Sequence, residues 1–228
     1  MHIPDGYLGP GTCGFFYALM LLIWAIASKI VKKTLKVKQV PLVAIGAAFS
    51  FVIMMFNIPI PGGTTGHALG GVLVAILLGP WAACIAITVS LVVQALLFGD
   101  GGITSLGANC FNMAFVSVFT GYYLYKLISY KALVTSKRRV MASALAAYTG
   151  ITTAAFLAGI ELGLQPLLYH NPNGQALYCP YGLKAAIAAM AGGHLLFFGW
   201  VEAVVTALVV KYLQKQDPSL LSIGQAIR

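Results

Sequence analysis

No Asp, Glu, Lys or Arg occurs between Lys38 and Asp100. Shorter charge-free runs separate Asp5 from Lys29, Asp100 from Lys126, Arg139 from Glu161 and Lys184 from Glu202. A water-soluble domain could not cover its surface with such stretches. Only 8% of the residues are charged and 60% are hydrophobic, whereas soluble domains carry roughly 25% charged residues. The solvent such a chain requires is largely lipid. The predicted fold class is therefore an all-α integral membrane protein, with residues 1–228 forming one membrane domain.

A hydrocarbon core about 30 Å thick needs about 20 apolar helical residues per crossing. The candidate spans are 12–30, 40–56, 68–78, 82–98, 105–126, 140–162 and 185–210. Read as a single helix, 68–98 would run about 45 Å at a rise of about 1.5 Å per residue, too long for the core. Gly79-Pro80 lies inside it, and proline favours the first turn of a new helix. Two segments are predicted, the short 68–78 packing against protein rather than lipid. The basic residues agree with seven spans. Lys29, Lys32, Lys33, Lys36 and Lys38 follow the first span; Lys126, Lys131, Lys137, Arg138 and Arg139 follow the fifth; Lys211, Lys215 and Arg228 follow the last. Seven crossings put all of these on one side and leave only Lys184 on the other. The positive-inside tendency then sets the N-terminus outside and the C-terminus in the cytoplasm. The net charge of +9 thus points to a membrane and not to nucleic acid, for which the ordered mixing of basic and aromatic residues is missing.

Positive charges follow the first apolar run instead of preceding it, so a cleaved leader is not expected. Met1 is expected to stay and to present its α-amine outside. Cys13, Cys84, Cys110 and Cys179 stand at unrelated spacings with no CxxC pair, and read as small apolar packers. A Cys13–Cys179 bridge on the outer side is the alternative.

The chain opens MHIPDG. The Met1 amine, the main-chain nitrogen of His2 and its Nδ1 are linked by short covalent bridges. A metal bound to all three closes one five-membered and one six-membered ring, close to one plane. Tetragonal nitrogen sites suit Ni(II) or Cu(II), with cobalt just below nickel in general affinity. Tetrahedral zinc fits poorly. The outer loop NIPIPGGTTGH ends on His67, on the same expected side as Met1, which makes it the candidate fourth nitrogen. Asn109 and Asn112, three residues apart in GGITSLGANCFNMA, share a helical face and are expected either to orient His67 or Met1 or to bond neighbouring helices. Asp5 is expected to pin the N-terminal segment. His170 reads as a surface residue. His194 and Glu202, costly to bury in a membrane, read as structural, and Glu161 has no role legible in the sequence.

MHIPDG at the start, PGGTTGH before the third segment and GGITSLGANCFNMA at the fifth together resemble the membrane substrate-capture component of cobalt/nickel energy-coupling-factor transporters, the CbiM/NikM family. The likeness runs over essentially the whole chain. Cys110 departs from it, standing where the family commonly has an aliphatic residue. The resemblance implies an extra N-terminal helix (1–38) that delivers the chain start to the site, a six-helix core (39–215) and a short cytoplasmic tail (216–228). It carries the family's metal ligands onto Met1, His2 and His67. It implies import of Ni2+ and/or Co2+ as transported substrate across a prokaryotic cell membrane, with no organic cofactor. The partners it implies are two ATPase subunits, a transmembrane coupling subunit and often a small accessory membrane subunit. The coupling contact in this class uses small residues four apart, matched here by Ala44 and Ala48, and the component is thought to topple in the bilayer to carry its site inward.

Three other readings are less economical. A vitamin-capture component of the same architecture gives no reason for the amine next to His2. An intramembrane enzyme lacks HExxH and GxSxG, and the chain has no GxxxxGK[ST] phosphate loop of its own. A passive channel needs weak or multiple sites rather than a chelate.

Overall fold

The computed structural model describes residues 1–60 and 64–221. Among the described residues, besides a 3-10 turn at Val37–Gln39, seven helical segments form: α1 (Pro10–Thr34), α2 (Val40–Met54), α3 (Gly71–Leu78), α4 (Pro80–Phe98), α5 (106–128), α6 (Lys137–Leu168) and α7 (Leu183–Gln216). Four of them, α1, α4, α6 and α7, are long and apolar enough to cross a membrane. Each carries large apolar side chains outward, such as Leu22 and Phe15 on α1 and Leu196 and Trp200 on α7. This is a helical membrane protein; among the described residues four helices, and not seven, are long and apolar enough to cross by themselves. The Pro61-Gly62-Gly63 part of the loop motif, Arg228 and the tail beyond Leu221 lie outside the described residues.

The break at Gly79-Pro80 is present. Gly79 has φ +83° and ends α3, and Pro80 opens α4. α3 is short and buried along almost its whole length, from Gly71 to Ala75 and on to Ile76 and Leu78, as a segment packed against protein must be. It lies among α2, α4, α5 and α6. α6 is the helix around which the others gather, touching α3, α5 and α7.

Two features depart from the expected all-α chain. Ile58–Ile60 and Thr64–Gly66 pair antiparallel, Ile58 opposite Gly66, as a two-stranded ribbon that leads into His67. β-branched residues and a proline at Pro59 favour extended backbone over helix there. The helical segments also contain π turns at Gln94–Phe98, Cys110–Ser117 and His194–Phe198. Such widened turns are frequent at functional sites. All four cysteines are free, so the Cys13–Cys179 bridge does not form.

Candidate metal centre

The nine residues before α1 are held by side chains from α5, α6 and the loop between α4 and α5. Ile3 is fully buried, and its main chain is clamped at both ends by one amide. Its N–H donates to Asn109 Oδ1 (2.8 Å) and its carbonyl accepts from Asn109 Nδ2 (3.0 Å). The same carbonyl accepts from Ser105 Oγ (2.5 Å) and from the Gly102 N–H (2.9 Å). Asp5 accepts from the N–H groups of Ile103 and Thr104 and from the Thr104 hydroxyl. Gly9 donates to Gln165 on α6 (2.9 Å). A Cβ at Gly102 would run into Asp5 and Ser105, and Gly101, at φ +85°, sits against His2 and Asn109. Only glycine allows these two strands of chain to lie so close.

That clamp drives the chain start inward. Met1 is 1% exposed and His67 is fully buried. The Met1 amine donates to the Thr65 carbonyl (2.5 Å) on the second strand of the ribbon. His67 Nδ1 lies 3.0 Å from the Ala68 carbonyl, and its Nε2 lies 3.2 Å from His2 Nδ1. The two rings stack with centroids 4.7 Å apart and planes 28° from parallel. A proton on His67 Nδ1, bonded to Ala68, leaves the Nε2 lone pair facing His2. Nitrogens on adjacent corners of a square around a metal, each about 2 Å away, stand roughly 2.8 Å apart. The observed separation needs only tenths of an ångström of adjustment to take an ion between them. Among the described residues no acceptor takes the His2 main-chain N–H.

Burial keeps these groups neutral and so able to donate lone pairs. It pushes the Met1 amine down to about 5, against the pull of the nearby Asp100 carboxylate. His2 falls to about 3 through burial and the adjacent amino group. His67 lies well below its ordinary value for the same two reasons, with His2 adding to them. Asp100 Oδ1 stands 3.4 Å from His2 Nδ1; burial raises its pKa while the amine opposes the rise. Gln94 lies beside the His2 ring, yet neither its amide atoms nor His2 Nε2 makes a well-formed hydrogen bond: the two are neighbours without being bonded. An unfolded chain protonates its amine below pH 8, whereas the folded one does so only near pH 5. The unfolded state binds more protons across that window, so apoprotein stability rises with pH through it. The melting midpoint of metal-free protein in detergent is expected to be higher near pH 8 than near pH 5; equal midpoints would mean that the amine is not buried.

Glu202, on α7, is 1% exposed and grips the turn that follows His67. Its carboxylate accepts from the Leu69 N–H (2.6 Å) and from the Gly70 N–H (2.8 and 3.1 Å to its two oxygens). These are the N–H groups left free ahead of α3, where a negative charge is favoured. Gly70 takes φ +72° to enter the helix from this turn. Glu202→Gln leaves one of these donors facing an amide N–H. It is expected to lower nickel affinity about 10- to 100-fold, the range typical of groups that orient ligands. A nickel titration checks it, and wild-type affinity would mean that the turn holds its shape without the carboxylate.

The structure gathers Met1, His2 and His67 at one point, with Asn109 and Asp5 holding the segment that carries the first two. Of the two roles open to Asn112 the structure shows the bond between helices: its amide donates to Glu161 on α6 (2.8 Å). The π turns from Cys110 widen the helix, so a three-residue spacing no longer keeps Asn112 on the face of Asn109. Within α6, Gln165 donates to the Glu161 carbonyl (2.7 Å). His194 Nδ1 lies 2.8 Å from the Met190 carbonyl one turn back, its ring packed on Phe198, and His170 is exposed. Sequence reasoning missed Asp100, Gln94, Thr65 and the partner of Glu202. Only Glu202 left a signal, since an ionisable residue within a span marks a site by default. Among the described residues no cluster of three His, Cys, Asp or Glu side chains is arranged to hold a metal.

Residues 2–220 match the family described as the cobalt uptake substrate-specific transmembrane region, CbiM. The fused nickel transport protein NikMN of Rhodobacter capsulatus is 50% identical over 226 residues, covering 99% of this chain and 65% of that protein. The probable fused nickel transport protein LarMN of Lactiplantibacillus plantarum is 51% identical over 223 residues, covering 97% and 66%. The chain thus spans about two thirds of the length of these fused relatives. The cobalt transport protein CbiM of Sorangium cellulosum is 30% identical over 238 residues, covering 100% and 97%. A crystal structure of a transition metal transporter, 56% identical, superposes with a TM-score of 0.90 over 94% of this chain and 93% of that one.

Proposed function

This chain belongs to the CbiM family of cobalt-uptake substrate-specific transmembrane proteins, and from that premise we propose that it captures Ni2+, with Co2+ as a second substrate, in a plane of four nitrogens. The ligands are the Met1 amine, the deprotonated main-chain nitrogen of His2, His2 Nδ1 and His67 Nε2. The observation that carries this reading is the 3.2 Å approach of His67 Nε2 to His2 Nδ1, beside a buried amine. A metal drawing in the amide nitrogen must displace its proton, which late divalent ions with a planar preference do best. The likeness to nickel and cobalt transport proteins supports the same substrates.

The relatives support a place in a larger machine. The ion is taken up from outside by a single domain of seven spans, with an extra N-terminal helix (1–38), a six-helix core (39–215) and a cytoplasmic tail (216–228). The N-terminus lies outside and the basic ends of the helices face the cytoplasm of a prokaryotic cell. This chain carries no engine and is not an enzyme; two ATPase subunits and a transmembrane coupling subunit drive transport, joined by a small accessory membrane subunit. Ala44 and Ala48, exposed on α2, offer the coupling subunit a smooth, close surface.

Titrating the full chain in detergent with Ni2+, Co2+, Cu2+ and Zn2+ tests the site. Nickel and copper are expected to bind tightly with the visible absorption of a planar nitrogen complex, and zinc most weakly. Zinc bound as tightly as nickel, with no visible nickel band, would sink the planar reading.

A further inference from the structure

The nitrogens that would hold the ion are sealed from water. Met1 is 1% exposed, His67 is fully buried and the His2 side chain is 3% exposed. A cavity of about 510 Å³ adjoins them, lined by His2, Thr65, Asn57, Tyr181 and Met190, and by Asp100. Asp100 is the one described residue lining it that carries a full charge. Its side chain is 25% exposed, and one oxygen lies 3.4 Å from His2 Nδ1. It therefore touches both the open space and the ligand behind it.

The chain has five Asp and Glu side chains. Asp5 is spent on Ile103 and Thr104, Glu161 on Asn112, and Glu202 on Leu69 and Gly70. Asp217 follows the C-terminal end of α7, where it accepts from Ser219. Asp100 alone is left beside the cavity. Lys184, the one basic residue expected on this side, is next to Ala185, which lines the same space.

We propose that Asp100 is the receiving carboxylate of this cavity, which attracts the hydrated divalent ion and passes it to the nitrogens behind. This rests on the four-nitrogen reading above. A hydrated ion exchanges a water for a carboxylate oxygen readily, because hard oxygen ligands resemble the water they replace. One fixed negative charge within a low-dielectric cleft concentrates cations at its mouth and can speed association by about 10- to 1000-fold. The ion then exchanges oxygen for nitrogen ligands as His2 and the amine close around it. Asp100 on this account sets the rate of capture more than its final strength.

Stopped-flow mixing of the full-length protein in detergent with aqueous Ni2+, followed by the visible band, tests this. Asp100→Asn is expected to slow association about tenfold, the low end of such focusing, and to flatten its dependence on ionic strength. Its dissociation into excess chelator should change far less, and Asp100→Glu should recover most of the rate. In the wild type, raising the salt so that the screening length falls below about 10 Å should slow association, a reading that needs no variant. Wild-type association indifferent to salt, or a variant that associates normally or loses nickel only by faster dissociation, overturns the role of Asp100. A wild type that never develops the band overturns the four-nitrogen site itself.

Discussion

Acetylation of the Met1 amine lowers nickel affinity by at least about 100-fold while every side chain remains in place. Metal-bound small domains gain about 10–16 kcal/mol from four ligands, or roughly 3 kcal/mol for each, and about 1.4 kcal/mol is a factor of ten. Acetylation turns the amine into an amide, which binds only by losing a further proton and leaves no neutral amine to anchor the chelate. Extra atoms have no room either, since Met1 is 1% exposed and its amine is bonded to Thr65. A binding titration on blocked and unblocked protein decides it. Undiminished affinity in the blocked protein removes the amine from the site and, with it, the reason for planarity.

His67→Ala lowers nickel affinity by about 100-fold, one ligand's share on the same scale, and shifts the visible band as water takes the vacant corner. Blocking the amine should do more damage than this, because His67→Ala leaves the covalent three-nitrogen chelate of Met1 and His2 intact. The variant is expected to keep its fold, since the turn is held through the Leu69 and Gly70 main chain by Glu202 and not through the imidazole. Retained nickel affinity in this variant would exclude His67. The order of the two losses is itself informative: a larger loss at His67 would mean that the imidazole, and not the chain start, anchors the ion.

Much of this was legible in advance because it rests on covalent bonds and on chain direction. The nearness of the Met1 amine to His2 Nδ1 is written into two consecutive residues and needs no fold. Gly79-Pro80 breaks 68–98 whatever surrounds it, because a glycine at positive φ followed by a proline cannot continue a helix. The charge-free runs and the lysines between them announce helices in a membrane through the cost of burying charge. Residue order left the role of Asn112 open between the metal site and a neighbouring helix, because a three-residue spacing keeps one face only in an α-helix and π turns run through Cys110–Ser117. The pairing of Ile58–Ile60 with Thr64–Gly66 is too short to leave a periodicity, so residue order shows only a shaped loop there.

What residue order alone could determine, then, was which groups are capable of chelation and that the chain belongs in lipid. Both follow from chemistry between neighbours in the chain and from hydropathy summed along it. The fold decided what those groups meet: His67 facing His2, Glu202 gripping Leu69 and Gly70 from 132 residues away, Asp100 at the rim of the cavity. Their partners are main-chain atoms or lie far off in the chain, and a backbone N–H has no letter in a sequence. Contacts of that kind come into being only when separate helices are brought together.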